Sequence, residues 1–168
     1  RPYFVWKVAT TLDAKIAASD GTSKWISNED SRDDVQRLRR ESDAILVGTN
    51  TVISDDPHLI PRGEFSGYSH NPIRVIFGES DLPEDSKVFD NAAKTLHVKS
   101  RDLKELVSKL NELDINQVFV EAGSKLTSAM VTAGLMDELV IYQAPALLGS
   151  GKPFFADESK STIDDQMR

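Results

Sequence analysis

Two short apolar runs in this sequence are each followed directly by a turn that leads into a predicted helix. Residues 44–47 are typical of a buried strand and precede Gly48, and residues 118–120 precede Glu121 and Gly123. Glycine lets a ligand approach the backbone, and the free N–H groups of a first helical turn favour an anion such as phosphate. Two such turns after two strands predict a sheet whose carboxyl edge holds a nucleotide-like ligand.

The rest of the chain alternates between predicted strands and helices. Apolar periodicity predicts strands at 3–11, 73–77, 96–98, 117–120 and 138–142, and helices at about 29–41, 102–113 and 126–133. Asn28 or Ser27 caps the first helix, Ser100 caps the second, and residues 13–27 form a loop. This alternation predicts an α/β fold with a mainly parallel central sheet flanked by helices, in three layers α/β/α.

Composition limits the partners that the protein can have. A length of 168 residues with 39% hydrophobic residues predicts one domain over 1–168. The net charge of −7 weighs against nucleic acid or an anionic membrane as the partner, so a phosphorylated ligand needs a local basic pocket. The chain has no cysteine, no leader-like start and no apolar run of membrane-spanning length, from which we expect a soluble cytoplasmic protein.

Charged residues at positions that should be buried are the first candidates for function. On the helix 29–41, Arg39 and Arg32 can face inward, whereas Arg37 and Arg40 point away. Lys7 lies in an apolar strand and needs a nearby anion, which Glu121 could supply. A catalytic Lys7–Glu121 pair and a purely structural buried ion pair are equally compatible with the sequence.

Other candidates have simpler explanations. Thr49, Asn50 and Thr51 can cap a helix, and Asp55 with Asp56 can end one before a proline. Arg62 can be a solvated surface residue and Trp25 a packed loop aromatic. The three histidines lack the spacing of metal ligands, so no metal site is predicted: they are His58, His70 and His97. The dinucleotide glycine motif, the P-loop and the serine-hydrolase elbow are absent.

Taken together, several segments resemble one known family in their order and spacing. The matching segments are 7–15, 23–26, Arg32 with Arg39, 43–48 with 51–52, 55–59 with Arg62, 120–123, 134–138 and 144–149. They resemble the reductase domain of the riboflavin biosynthesis protein RibD, and the likeness runs from Arg1 to about Phe155. No single segment would be specific for this family, but the order and spacing of all the segments together are specific.

The resemblance implies a dihydrofolate-reductase-like fold, a homodimer and an enzyme that uses NADPH. The implied reaction reduces 5-amino-6-(5-phosphoribosylamino)uracil to its ribitylamino product by hydride transfer to C1 of the ribose, through a ring-opened imine. Because the cofactor carries the reducing equivalent, the protein contributes mainly positioning and electrostatics.

The resemblance also implies roles for individual residues. Cofactor contacts fall on Ala9, Trp25, Gly48, Thr51, Asp55, Gly123, Ser124, Lys125, Leu126 and Thr127. Substrate contacts fall on Ser23, Arg39, Leu59, Arg62 and Glu121. Lys7 and Glu121 are the catalytic candidates, and Arg39 and Arg62 supply positive charge for a ribose phosphate.

The sequence departs from the family pattern at a few places. Ala14 and Ala122 replace glycines, and both turns are expected to survive these small changes. Ile60 replaces a common threonine, and residues 161–168 contain no convincing strand. Two other functions stay open: a reductase of the same superfamily that acts on a diaminopyrimidinone nucleotide or a pterin, and a nucleotide-binding module without turnover.

Overall fold

Six parallel strands form the central sheet of the protein. The computed structural model describes residues 1–24, 26–67, 71–157 and 162–167. In chain order the strands are β1 (Tyr3–Thr11), β2 (Lys15–Ala17), β3 (Ala44–Gly48), β4 (Ile73–Phe77), β5 (Thr95–Val98), β6 (Gln117–Val120), β7 (Glu138–Ala144) and β8 (Lys152–Pro153). The central sheet has the order β5-β4-β3-β6-β1-β7, and each adjacent pair is parallel. The predicted parallel α/β architecture is confirmed.

Four α-helices cover the two faces of this sheet. They are α1 (Glu29–Glu41), α2 (Thr49–Asp55), α3 (Leu103–Glu112) and α4 (Ser124–Thr132), and short 3₁₀ turns lie at Gly63–Phe65, Lys87–Phe89 and Ile163–Asp165. The Asn28 side chain caps α1 as predicted, by accepting from Ser31 N–H at 3.0 Å. The prediction that Ser100 caps α3 is wrong. Asp102 is the cap, and Ser100 Oγ instead accepts from the Asp102 N–H at 3.0 Å.

One face of the sheet packs against α3 and α4. Strand residues that alternate along β1, β3, β4 and β6 point to this face, as the period of two in a strand requires. They meet Leu106 and Leu110 of α3 and Met130 of α4, all of which are fully buried. The buried strand residues of this cluster include Phe4, Leu46, Val75, Phe77, Val118 and Val120.

The opposite face packs against α1 and α2, which completes the three layers. Near β1 and β6, Val5 and Phe119 contact Val35 of α1. Near β3 and β4, the buried residues Ile45, Val47 and Ile76 contact Val52 of α2 together with Leu59 and Val88. The two ends of this face are therefore covered by different elements, and the chain that follows α2 forms part of the cover.

The sequence prediction missed a second, smaller sheet. Residues 13–27 were expected to form a loop, but β2 lies within them and pairs antiparallel with β8. Three residues are too few for a periodic pattern, and the partner strand is far away in the sequence. Gly151, just before β8, is required sterically, because a Cβ there would lie 2.3 Å from the Ala17 carbonyl oxygen.

Other boundaries differ slightly from the predictions. Strand β7 extends to Ala144, two residues further than predicted, and α4 begins at Ser124 and not near residue 126. Residues 162–167 contain a 3₁₀ turn and no strand, as expected of the described part of that segment. No described residue pairs with the outer edge of β7. Within the described ranges, no helix has the length and apolar character needed to span a bilayer.

Candidate active site

A buried ion pair between Arg39 and Glu121 lies where two elements meet. Glu121 follows β6 at the carboxyl edge of the sheet, and Arg39 lies on the inward side of α1. Arg39 Nε is 2.5 Å from Oε1 of Glu121, and Nη2 is 3.0 Å from Oε2. The side chains are only 10% and 13% exposed. This two-point geometry fixes the carboxylate plane, which a lysine could not do.

The pair decides the charge state of Glu121. Burial alone would raise the pKa of this carboxyl, but the charge and hydrogen bonds of Arg39, with smaller contributions from Lys7 and Arg62, outweigh it and hold the pKa of Glu121 below its ordinary value. Burial lowers the pKa of Arg39, and Glu121 more than compensates. Glu121 is therefore a carboxylate at neutral pH and can accept hydrogen bonds but cannot donate a proton.

The predicted Lys7–Glu121 ion pair is not formed, because Arg39 occupies both oxygens of the carboxylate. Lys7 is half-buried on β1, so the burial cost that motivated the prediction is smaller than expected. Lys7 and the exposed Arg62 are still close enough to lower the pKa of Glu121. Among the described residues, neither Lys7 nor Arg62 forms an ion pair. The site therefore holds one neutralised arginine and two cations available to a ligand.

The predicted substrate residue Leu59 is placed differently from Arg62. Leu59 is 2% exposed, and its side chain packs in the core against Val47 and Val52. Any contact from Leu59 to a ligand must therefore come from its backbone. Ile60, the departure from the family pattern, accepts a hydrogen bond on its carbonyl from Arg39 Nη1 at 3.3 Å. This backbone contact does not depend on the Ile60 side chain.

The two turns predicted to hold the cofactor lie side by side. Gly48 is the N-cap of α2. A Cβ atom placed on Gly48 would lie 3.9 Å from the Leu126 side chain of α4. The contact follows from the sheet order, because β3 and β6 are neighbours. Of the other residues predicted on this side, Thr51 is half-buried in α2, and Asp55 is exposed at its end.

The start of α4 has the chemistry of a phosphate site. Gly123 is its N-cap, and the Leu126 N–H donates to the Gly123 carbonyl at 3.2 Å, whereas the N–H groups of Ser124 and Lys125 have no acceptor among the described residues. Ser124 and Lys125 line a groove of about 660 Å³ that follows the helix to Thr132 and Asp157. Thr127 does not belong to this surface. It is fully buried, and its hydroxyl donates within the helix to the Gly123 and Ser124 carbonyls at 3.3 Å.

A smaller cavity of about 210 Å³ lies beyond the carboxyl end of β1. Ser23 lines it, as do Thr11, Ala144 and Leu148. The predicted cofactor residue Ala9 is half-buried on β1, beside Tyr142 in the register of β7. Trp25, another predicted cofactor residue, lies outside the described residues, although its neighbours Lys24 and Ile26 line this cavity. Ser23 is thus grouped with β1 and β7, and not with the Arg39–Glu121 pair.

Two further side-chain contacts near the site were not predicted. Tyr142 donates its hydroxyl to Asp34 Oδ2 at 2.6 Å, which joins β7 to α1. Burial, this hydrogen bond and the charges of Asp34 and Glu121 raise the pKa of Tyr142. Asp13 accepts from the backbone N–H groups of Leu148 and Gly149 at 3.1 and 2.7 Å. The available signals were that Tyr142 ends a predicted strand and that Asp13 begins the loop after another.

Histidine and carboxylate side chains are the ligands that a metal site in this cysteine-free chain would need. Within them, no group of three or more histidine, aspartate or glutamate side chains could hold a metal ion. His58 pairs with Asp90, with 2.9 Å between Nε2 and Oδ2, and His97 contacts the Gly78 carbonyl at 2.9 Å. His70 lies outside the described residues.

The parallel sheet between helices, with a charged cluster and open turns at its carboxyl edge, defines an α/β protein of the dihydrofolate-reductase-like class. The sequence profile of the RibD C-terminal domain matches residues 2–167. The chain belongs to the RibD C-terminal domain family.

Individual relatives agree with this placement. The chain is 38% identical over 168 residues to the riboflavin biosynthesis protein RibD of Mycobacterium tuberculosis, covering 99% of this chain and 49% of that protein. RibD of Acinetobacter baumannii is similar in structure, with a TM-score of 0.86 and 33% identity over 99% of this chain and 52% of that one.

A structure from Thermotoga maritima has a TM-score of 0.82 and 29% identity, covering 96% of this chain and 51% of that one. That protein is a diaminohydroxyphosphoribosylaminopyrimidine deaminase and 5-amino-6-(5-phosphoribosylamino)uracil reductase. The chain spans about half the length of the curated relatives it matches.

Proposed function

We propose that residues 1–168 form one reductase domain that reduces 5-amino-6-(5-phosphoribosylamino)uracil to 5-amino-6-(5-phosphoribitylamino)uracil in riboflavin biosynthesis, with NADPH as the reductant. The observation that carries the proposal is the buried Arg39–Glu121 pair, with Lys7 and Arg62 close to it at the carboxyl edge of the sheet. Membership of the RibD C-terminal domain family supports the same reaction class.

The residues at the start of α4 fit a dinucleotide. Open helical N–H groups, the Ser124 hydroxyl and the Lys125 ammonium match the needs of its phosphates, and the groove of about 660 Å³ along α4 is of the size that ligand sites usually have. Ser124, Lys125 and the Gly123 backbone would hold it, and Gly48, Thr51, Leu126 and Ala9 lie on the same edge of the sheet. When bound, NADPH supplies the hydride.

The phosphate of the substrate is assigned to Arg62. The charge of Arg39 is matched by Glu121, so Arg39 binds phosphate less strongly than its type suggests. Its main role is to hold the Glu121 carboxylate, while Arg62, which forms no ion pair with a described residue, attracts the anion.

Glu121 and Lys7 have different roles in proton transfer. As a carboxylate, Glu121 accepts hydrogen bonds from the hydroxyl groups of the opened ribose chain and orients C1. Reduction of the imine adds a hydride at C1 and a proton at the adjacent nitrogen. Lys7 is a cation close to Glu121, and we assign this proton to its ammonium group.

An absorbance assay tests the function directly. Purified protein, NADPH and the deaminated phosphoribosylaminouracil should consume NADPH, with the ribityl compound as the product. Turnover of only the diamino pyrimidine would contradict the assigned substrate. Binding of NADPH without turnover of either compound would favour a binding module.

We also propose that the protein is a cytoplasmic homodimer. The outer edge of β7 has no partner among the described residues, and Leu139 and Ile141 on this strand are 44% and 47% exposed. An open edge with exposed apolar side chains favours association with a second chain. Light scattering of the purified protein would give the mass, and a monomer at micromolar concentration would contradict the dimer. Cell fractionation tests the location.

A further inference from the structure

The segment of residues 56–62 has a strained backbone close to the candidate active site. Asp56 and Leu59 have φ angles of 40° and 49°, in the left-handed region that non-glycine residues avoid. Such residues persist only where surrounding contacts hold them. The 56–62 segment carries Leu59 and Arg62, which are both on the proposed substrate side.

Helix α1 holds one end of the 56–62 segment. Arg39 Nη1 donates to the Ile60 carbonyl at 3.3 Å, and the Arg62 N–H donates to Gln36 Oε1 at 3.1 Å. Arg39 thus contacts this segment and Glu121 at the same time. The position of the segment and that of the catalytic carboxylate are therefore linked.

The other end is held by the turn at residues 87–93. Asp56 Oδ1 accepts from the Lys87 N–H at 2.8 Å, and the Lys87 ammonium lies 3.1 Å from Asp56 Oδ2. His58 Nε2 lies 2.9 Å from Asp90 Oδ2. Asp56 and His58 are thus attached to the same turn.

Arg74 organises that turn from inside the protein. Arg74 is fully buried on β4, and its Nη2 lies 2.6 Å from Asp90 Oδ1. Its guanidinium also donates to the Lys87 carbonyl at 2.8 Å and to the Ala93 carbonyl at 3.1 Å. Asp90 therefore uses one oxygen for Arg74 and the other for His58. A fully buried charge of this kind is costly unless such partners stabilise it.

We infer that Arg74 and Asp90 are positioning residues for substrate binding, acting through His58 and Asp56 on the 56–62 segment. The inference rests on the proposed function for its kinetic part. The side-chain hydrogen bonds and ion pairs of Arg74 and Asp90 go to residues 58 and 87–93 and to each other, and none reaches residues 123–125 at the start of α4, so disturbing this connection should weaken substrate binding and leave cofactor binding unchanged. If Arg74 and Asp90 had a purely structural role, their loss would weaken the binding of both ligands.

The test compares Asp90→Asn with two other variants. His58→Ala removes only the contact between His58 and Asp90. Because the His58 side chain is 44% exposed, this variant should fold. Asp81→Asn is the matched control, because Asp81 also forms an ion pair, with Lys99, but is 92% exposed and does not contact the segment. Steady-state kinetics, NADPH titration and amide hydrogen exchange are measured for each.

Asp90→Asn is expected to raise the substrate KM by about tenfold, with kcat and the NADPH Kd changed by less than about twofold. Exchange should become faster in residues 56–62. His58→Ala should change the same quantities in the same direction but by less, and Asp81→Asn should match the wild type. An unchanged KM in Asp90→Asn, or an equal rise in KM and in the NADPH Kd, would overturn the inference.

Two further outcomes are distinguishable. If Asp90→Asn does not fold, His58→Ala decides: faster exchange with a raised KM supports the inference, and wild-type values overturn it. If the wild type does not turn over the substrate, the proposed function fails, but amide hydrogen exchange of the variants still tests whether Asp90 holds the 56–62 segment. Faster exchange confined to residues 56–62 then supports the inference. Unchanged exchange, or a uniform change along the chain, overturns it.

Discussion

Arg39 and Glu121 are separated by 82 positions in the sequence and joined by two hydrogen bonds of 2.5 and 3.0 Å in the fold. The pair connects α1 to the end of β6 at the carboxyl edge of the sheet, where the ligands are proposed to bind. Because both side chains are about nine-tenths buried, each is the main source of compensation for the other's charge.

Replacing Arg39 should therefore destabilise the protein strongly. Arg39→Ala leaves Glu121 buried without its partner, and we expect the free energy of unfolding to fall by about 3–5 kcal/mol in urea titrations. Arg37→Ala is the control, because Arg37 lies on the same helix in exposed ion pairs with Asp34 and Glu41 and should cost less than about 1 kcal/mol. Similar losses for both variants would contradict the assignment.

The same variant separates the two ligands. Arg39→Ala releases both the Glu121 carboxylate and the Ile60 carbonyl, which are on the proposed substrate side. At a temperature where the variant is folded, its affinity for the phosphorylated substrate should fall by more than its affinity for NADPH, as measured by calorimetry. Equal losses would place Arg39 in a general structural role.

The lowered pKa of Glu121 predicts a specific dependence of stability on pH. A carboxyl whose pKa is lower in the folded than in the unfolded chain stabilises the fold fully above its ordinary pKa of 4.5, and this contribution is lost as pH falls through the folded-state value. Glu121→Gln should therefore be less stable than the wild type at pH 7. In urea titrations it should also lose less free energy of unfolding than the wild type between pH 5 and pH 3, because it lacks the contribution of this one paired carboxyl. Parallel curves for the two proteins would contradict this prediction.

Much of the fold was predictable because its signals are local. The apolar runs of β3 and β6 and the inward stripe of α1 lie within single elements. The β2–β8 pairing was not predictable, because each strand is too short to show a period and the two are far apart in sequence. The cap of α3 was misplaced since Ser100 and Asp102 are both good cap residues.

The positions of Arg39 and Glu121 were predictable, but their pairing was not. The sequence places Arg39 on the inward side of its helix and Glu121 at a strand end. It does not tell whether Arg39 or Lys7 reaches the carboxylate, because that depends on the distance between the helix layer and the sheet. Arg74 gave the same kind of signal as Lys7, a charge within an apolar predicted strand, but its partners could not be predicted because they come from a turn without regular periodicity.

The departure from the family pattern at Ala14 predicts a stabilising substitution. Ala14 has a φ of 62°, which costs an L-residue about 1–2 kcal/mol relative to glycine, partly offset by the greater entropy of glycine in the unfolded chain. Ala14→Gly should therefore raise the free energy of unfolding by about 0.5–1 kcal/mol. Ala122→Gly is the control: φ of Ala122 is not positive, so this change should be neutral or destabilising. Stabilisation by both would refute the explanation from backbone strain.

Lys7 provides the most direct test of the chemistry, because it has no ion-pair partner among the described residues and can be changed without stranding a buried charge. If its ammonium donates the proton, Lys7→Gln should lower kcat by about 10²–10⁴-fold. The NADPH Kd and the free energy of unfolding should change little, and Lys104→Gln, at an exposed position on α3, should leave kcat unaltered. A kcat within twofold of the wild type would remove Lys7 from the reaction. A raised KM with unchanged kcat would instead assign Lys7 to phosphate binding, beside Arg62.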